Sequence, residues 1–156
     1  MSESQEEGQV KVAVTLERDE DGYPPFDSED LWSTPVGEGR YRIESIPLFA
    51  RGIAWGDIVT AVSEEEEELL FQEVVEPSGH STVRLMVAKE EEVPAILEHF
   101  ERQGCMGENH FTPRLIALDV PPSISLDDLK QELDMGYALA RWDYEEACIA
   151  QTESPL

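Results

Sequence analysis

The stretch 73–87, EVVEPSGHSTVRLMV, sets a histidine and two hydroxyls, His80, Ser81 and Thr82, directly after a Pro-Ser-Gly turn. A serine becomes a nucleophile when an imidazole within hydrogen-bond reach takes its proton. Hydrolases achieve this with Gly-x-Ser-x-Gly on a sharp turn between a strand and a helix. Here Gly79-His80-Ser81 leads instead into STVRLMVA, which reads as a strand, where neighbouring side chains point to opposite faces. No Ser–His pair is therefore expected. The stretch reads as a corner in which Gly79 can supply a positive φ where the turn needs one, with His80, Ser81 and Arg84 placed to line a cleft.

The closing RWDYEEAC is the stronger candidate for binding. As a strand it carries Trp142 and Tyr144 on one face and Arg141, Asp143 and Glu145 on the other, an aromatic pair backed by a charged row. The aromatics alternatively close a core, since they bury large areas in any small domain. The candidate binding set is thus His80, Ser81, Arg84, Trp142, Asp143, Tyr144 and Glu145. In it, Arg84 is expected to meet Asp143 or Glu145 as an Arg–carboxylate pair.

Metal chemistry finds no support. ERDEDG mimics the start of a calcium loop at Glu17, Asp19, Asp21 and Gly22, but Ser28 stands where the bidentate Glu is needed. Cys105, Cys148, His80, His99 and His110 share no zinc spacing. Phosphate loops, dinucleotide fingerprints and paired-carboxylate motifs are missing too, so no metal, cofactor or catalytic residue is assigned.

Two kinds of pattern must position these residues. QVKVAVTLER alternates Val10, Val12, Val14 and Leu16 on one face, a half-buried strand. DEDGYPPFDSED is a loop; DLWSTPV and RYRIESI about GEG form a hairpin; GDIVTAV and ELLFQEVVE are two further strands separated by the run Glu64 to Glu68. Residues 9–76 are accordingly expected to form a small antiparallel barrel or curled sheet. After the turn, KEEEVPAILEHFERQG spaces Val93, Ile96, Leu97 and Phe100 as one helical stripe, with Pro94 tolerated in the first turn. PRLIALDVP is a strand. SISLDDLKQELDMG is a second helix, capped by Ser125 with Asp128 three residues on and stopped by Gly136. YALARWDYEEACI closes as a strand, with continued helix as the competing reading. If CMGENHF pairs as a strand, residues 77–150 run β-α-β-β-α-β, the order of a ferredoxin-like plait. The fold class is α+β, with an acidic tail over 1–8 and a second tail over 151–156.

Composition narrows function further. The 35 acidic against 11 basic side chains give a net charge of −24. Such a surface repels phosphate backbones and anionic lipid, which disfavours nucleic-acid and membrane binding, and it speeds encounter with a basic protein. Solubility alone is the plainer use of the same charge. No apolar run is long enough to span a bilayer and no signal peptide is recognisable, so a cytoplasmic location is expected, with both cysteines reduced.

The segments DGYPPFDSEDLWSTPVGEGRYRIESIPLFARGIAWGDIV, EVVEPSGHSTVR and RWDYEEACI resemble the bacterial domain-of-unknown-function family numbered 4265, over Val10 to Ile149. The resemblance implies a compact bacterial module and no particular activity. Charge, size and the lack of catalytic motifs favour an acidic protein-interaction module, an inhibitor or immunity-type partner of a basic protein. The alternatives are a small-ligand sensor, or a small enzyme with its site where the two halves join.

Overall fold

The computed structural model describes residues 8–65, 68–109 and 112–149. Most of the first tail, the whole of the second, Glu66, Glu67 and His110 lie outside them. The chain divides into two compact units, Met1–Ser78 and Gly79–Leu156.

The first unit is a closed barrel of β1 (Val10–Thr15), β2 (Ser28–Gly37), β3 (Arg40–Ile43), β4 (Ile58–Glu65) and β5 (Glu68–Glu76). Successive strands pair antiparallel, and a parallel seam of Val12 with Leu69 and Ala13 with Leu70 closes the cylinder. Closure selects the barrel over the curled sheet and corrects the expected all-antiparallel pairing. Bulges in β2–β3 and β4–β5 let so few strands curl this far. The Glu64 to Glu68 run is less of a connection than expected, because β4 continues through Glu65 and β5 begins at Glu68. Inside lie Val14, Leu31, Ile43, Ala50, Ile53 and Val59, with Tyr41, Phe71 and Val74 packed against them. The long β3–β4 connection is held by two carboxylates. Glu29 accepts the amides of Leu48, Phe49 and Ala50 at 2.6–3.0 Å, and buried Asp57 accepts those of Ala54 and Ser78.

The second unit is a four-stranded sheet with helices on one face. In chain order it contains β6 (Ser81–Val87), α1 (Val93–Arg102), β7 (Met106–Glu108), β8 (Leu115–Val120), α2 (Leu126–Ala138) and β9 (Trp142–Cys148). The sheet order is β7-β8-β6-β9, with antiparallel pairing throughout. Alternation on β6 turns Val83, Leu85 and Val87 toward the helices, where Ile96, Phe100, Leu129 and Leu133 complete the core. The α1 stripe buries Val93, Ile96 and Phe100, and Pro94 sits in its first turn. On α2, Ser125 Oγ accepts the Asp128 amide at 3.2 Å as the expected cap.

The far end of α2 corrects the sequence reading. Gly136 does not stop the helix, which runs on to Ala138. The stop is a Schellman turn around Ala140, whose φ is 60°: the Arg141 amide donates to Gly136 O at 2.9 Å and that of Ala140 to Tyr137 O at 3.0 Å. Gly136 is there for space. A Cβ built on it would lie 2.2 Å from Cζ2 of Trp142, whose indole fills that position. Of YALARWDYEEACI, Tyr137 and Ala138 continue the helix, as the competing reading has it, and Trp142–Cys148 is strand.

Candidate functional site

The register of the second sheet sorts the candidate residues by face. Ser81 stands opposite Val120, and Trp142 and Tyr144 stand opposite Val87 and Leu85, so all three are on the helix-bearing side. Trp142 is 4% exposed, and its Nε1–H donates to Leu133 O at 3.1 Å. The Tyr144 hydroxyl donates to Asp134 and accepts from Lys130 Nζ at 3.3 Å, tying β9 to α2. Burial, then the Asp134 contact, pushes this hydroxyl above its ordinary range. The two aromatics therefore serve packing between strand and helix.

The opposite face carries the charged groups. Arg84 and Glu145 are directly paired positions on β6 and β9, and Arg84 Nε donates to Glu145 Oε2 at 2.7 Å. Only 4% of the Arg84 side chain is exposed, against 39% of Glu145. Asp143 lies on the same face, one pair further along, opposite Met86. Thr82 is fully buried on this face, opposite Asp119 of β8. His80, just before β6, brings Nδ1 to 2.8 and 3.1 Å from the two Asp119 oxygens.

Asp119 belongs to no motif that the sequence marks as functional. Its signal was a lone carboxylate inside LIALDV, every residue of which is buried. Burial raises its carboxyl above the ordinary value, while the hydrogen bond and charge of His80 oppose that rise. A histidine oriented by a carboxylate is half of a general-base site. Alternation sends Ser81 to the other face, away from that pair. Cys105 is no substitute: burial, with the charges of Asp119 and Glu132, pushes its thiol up to about 11, so it stays protonated and packs in the core. This face thus carries an Arg–carboxylate and a His–carboxylate pair flanking a buried threonine.

The barrel carries its own charged cluster. The Glu44 carboxylate accepts from Gln9 Nε2 at 2.7 Å, Thr34 Oγ1 at 2.8 Å and Arg42 Nε at 3.2 Å. Burial alone would raise this carboxyl, but the three donors outweigh it and hold the group below its ordinary value. β2, β3 and the residue just before β1 meet at this one side chain.

Comparison with known proteins follows the same lines. The family model described as Domain of unknown function (DUF4265) matches residues 29–144. No curated protein matches the chain. A solved structure titled as a hypothetical protein from Neisseria gonorrhoeae is similar, with a TM-score of 0.74 and 24% identity, covering 94% of this chain and 99% of that one. At that identity the likeness establishes the fold.

Proposed function

The chain belongs to the Domain of unknown function (DUF4265) family, and on that footing we propose that it is an acidic protein-interaction module which binds a basic protein, as an inhibitor or immunity-type partner does. The observation that carries this reading is the state of its cations. Of the 11 Lys and Arg side chains, at least seven lie within 3.8 Å of a carboxylate among the described residues. An eighth, Lys11, stacks its ammonium 5.0 Å from the Trp32 ring centre. The 35 carboxylates far outnumber these partners, so the surface offers anions to a visitor while at least eight of its cations are engaged. Such a field repels a phosphate backbone and accelerates approach of a basic surface. No helix among the described residues is long and apolar enough to cross a membrane.

We read the second unit as a ferredoxin-like plait. Its β-α-β-β-α-β element order, its strand order β7-β8-β6-β9 and its one-sided helices support that reading.

The test is kinetic. A partner captured on the immobilised full chain and identified is then measured for association rate between about 50 mM and 500 mM NaCl, over which exposed charges become screened. The rate should fall steeply with salt, and the partner should be basic. A rate flat across that range, or an acidic partner, overturns the proposal.

A second reading rests on the His80–Asp119 and Arg84–Glu145 pairs: a polar small-molecule site on the helix-free face of the second sheet. Saturable chemical-shift changes at His80, Thr82 and Arg84 on adding small carboxylates or phosphates would support it, and their absence would dismiss it.

A further inference from the structure

The two helices present an apolar feature that the core does not use. Met135 in the last turn of α2 and Leu139, the residue that caps its end, are 64% and 65% exposed, more than any other large hydrophobic among the described residues. Helical spacing sets them on the same side as Glu132, three and seven residues earlier. Glu132 reaches across to α1, where it meets His99 and accepts from Gln103 Nε2 at 3.0 Å. Past the other end of the strip, Arg141 Nε lies 3.7 Å from Glu92 at the start of α1. The exposed Met–Leu strip thus runs between two polar bridges that join the helices.

Its surroundings are acidic. Residues 90–102 and 126–141 hold nine carboxylates and three cations. Each of those cations is already paired: Arg102 with Glu98 at 2.8 Å, Lys130 with Glu146 at 3.8 Å and Arg141 with Glu92 at 3.7 Å. An apolar strip in such a frame selects its occupant by charge. A second copy would bring the same net negative charge against it, and an anionic lipid surface would be repelled likewise. A chain segment with an apolar stripe flanked by Lys and Arg satisfies both the strip and its rim. The unbranched, polarizable Met135 adapts to the shape of whatever covers it.

We infer that the Met135–Leu139 strip is the docking surface for a basic amphipathic segment of the partner, which lays its apolar side chains over Met135 and Leu139 and its cations against the surrounding carboxylates. This rests on the acidic-module reading and adds to it a location and an apolar anchor.

The probe is a synthetic Leu/Lys peptide with leucines at helical spacing, compared with one of equal composition and charge whose leucines are scattered. Both are titrated into the ¹⁵N-labelled full chain at low salt. Shift changes should concentrate at residues 92–103 and 128–141 with the amphipathic peptide. The double variant Met135→Ser/Leu139→Ser should bind it about tenfold more weakly while melting close to the wild type, as expected when exposed anchor residues are truncated. The footprint is read on the wild-type chain and so does not depend on how the variant folds. Equal binding of both peptides, a footprint elsewhere, or no effect of the double substitution overturns the docking surface and leaves the acidic-module reading standing. No binding of either peptide, even at low salt, overturns both. Concentration-dependent self-association through the strip overturns the proposal in favour of a second copy.

Discussion

Arg84 shows what a single side chain reveals. A guanidinium with 4% of its side chain exposed is tolerable only when paired, and truncating one member of such a pair exposes the full cost of the other. Arg84→Ala and Glu145→Ala should therefore couple in a double-mutant cycle of unfolding free energy, by at least about 0.5 kcal/mol. Asp143→Ala, opposite Met86, should simply add to Arg84→Ala; coupling there and none to Glu145 would contradict the observed pairing. Glu44 makes a prediction in pH. Its carboxyl is held below the ordinary 4.5, so its contribution is present above that value and is lost as pH falls through the lower folded value. The melting-temperature gap between wild type and Glu44→Gln should thus be widest near neutrality and close in acid; a gap that widens in acid would contradict it. Pairing of this kind was partly legible in the sequence. Period-two alternation put Arg84 and Glu145 in prospect, since opposed residues on paired strands share a face. Asp119 was not legible as the partner of His80, because the two meet only through the β6–β8 register, which local pattern does not encode.

At the scale of the element, Gly136 and Ala140 exchange the roles that composition suggests. Glycine in a helix interior normally costs about 1 kcal/mol relative to alanine, so Gly136→Ala would ordinarily stabilise. Here the new methyl must displace an indole anchored by its bond to Leu133 O, and overpacking of that kind costs about 1–3 kcal/mol. The overpacking outweighs the propensity gain: Gly136→Ala should lower stability, by up to about 2 kcal/mol. The loss should be much smaller in a Trp142→Leu background, and an equal loss in both would discount the clash. Ala140 sits at φ 60°, where glycine is the easier residue, so Ala140→Gly should raise stability by about 0.5–1 kcal/mol in denaturant unfolding. A loss would mean that its methyl contributes packing worth more than the strain. The same pair explains why helix and strand patterns were legible here and this boundary was not. Val93, Ile96 and Phe100, like Val83, Leu85 and Val87, announce themselves by spacing. A glycine required by an indole six residues later looks, in sequence, like any glycine that ends a helix.

For the whole molecule, the excess of 35 carboxylates over 11 cations acts on stability as well as on partners. Like charges repel in the compact state, and raising NaCl from about 10 mM to 1 M shortens the screening length from about 30 Å to 3 Å. The melting temperature should therefore rise with salt, since relief of the repulsion exceeds the weakening of exposed ion pairs, each worth at most about 1 kcal/mol. A falling melting temperature would show that the pairs dominate. Charge is read directly from composition, whereas closure of the barrel is not, because no local pattern in β1 or β5 says that one will lie parallel beside the other. That seam bears on how the chain reaches its native state. Its partners stand at positions 12 and 69, so every other strand of the barrel lies between them along the chain, and the entropy of joining such distant segments is paid before the contact returns anything. Until then β1 and β5 are open strand edges, the form of a folding chain on which neighbouring molecules add. The step that completes the cylinder is thus also the one that ends its exposure to aggregation, and substitutions at Val12 or Leu69 should register in refolding yield before they register in the folded protein.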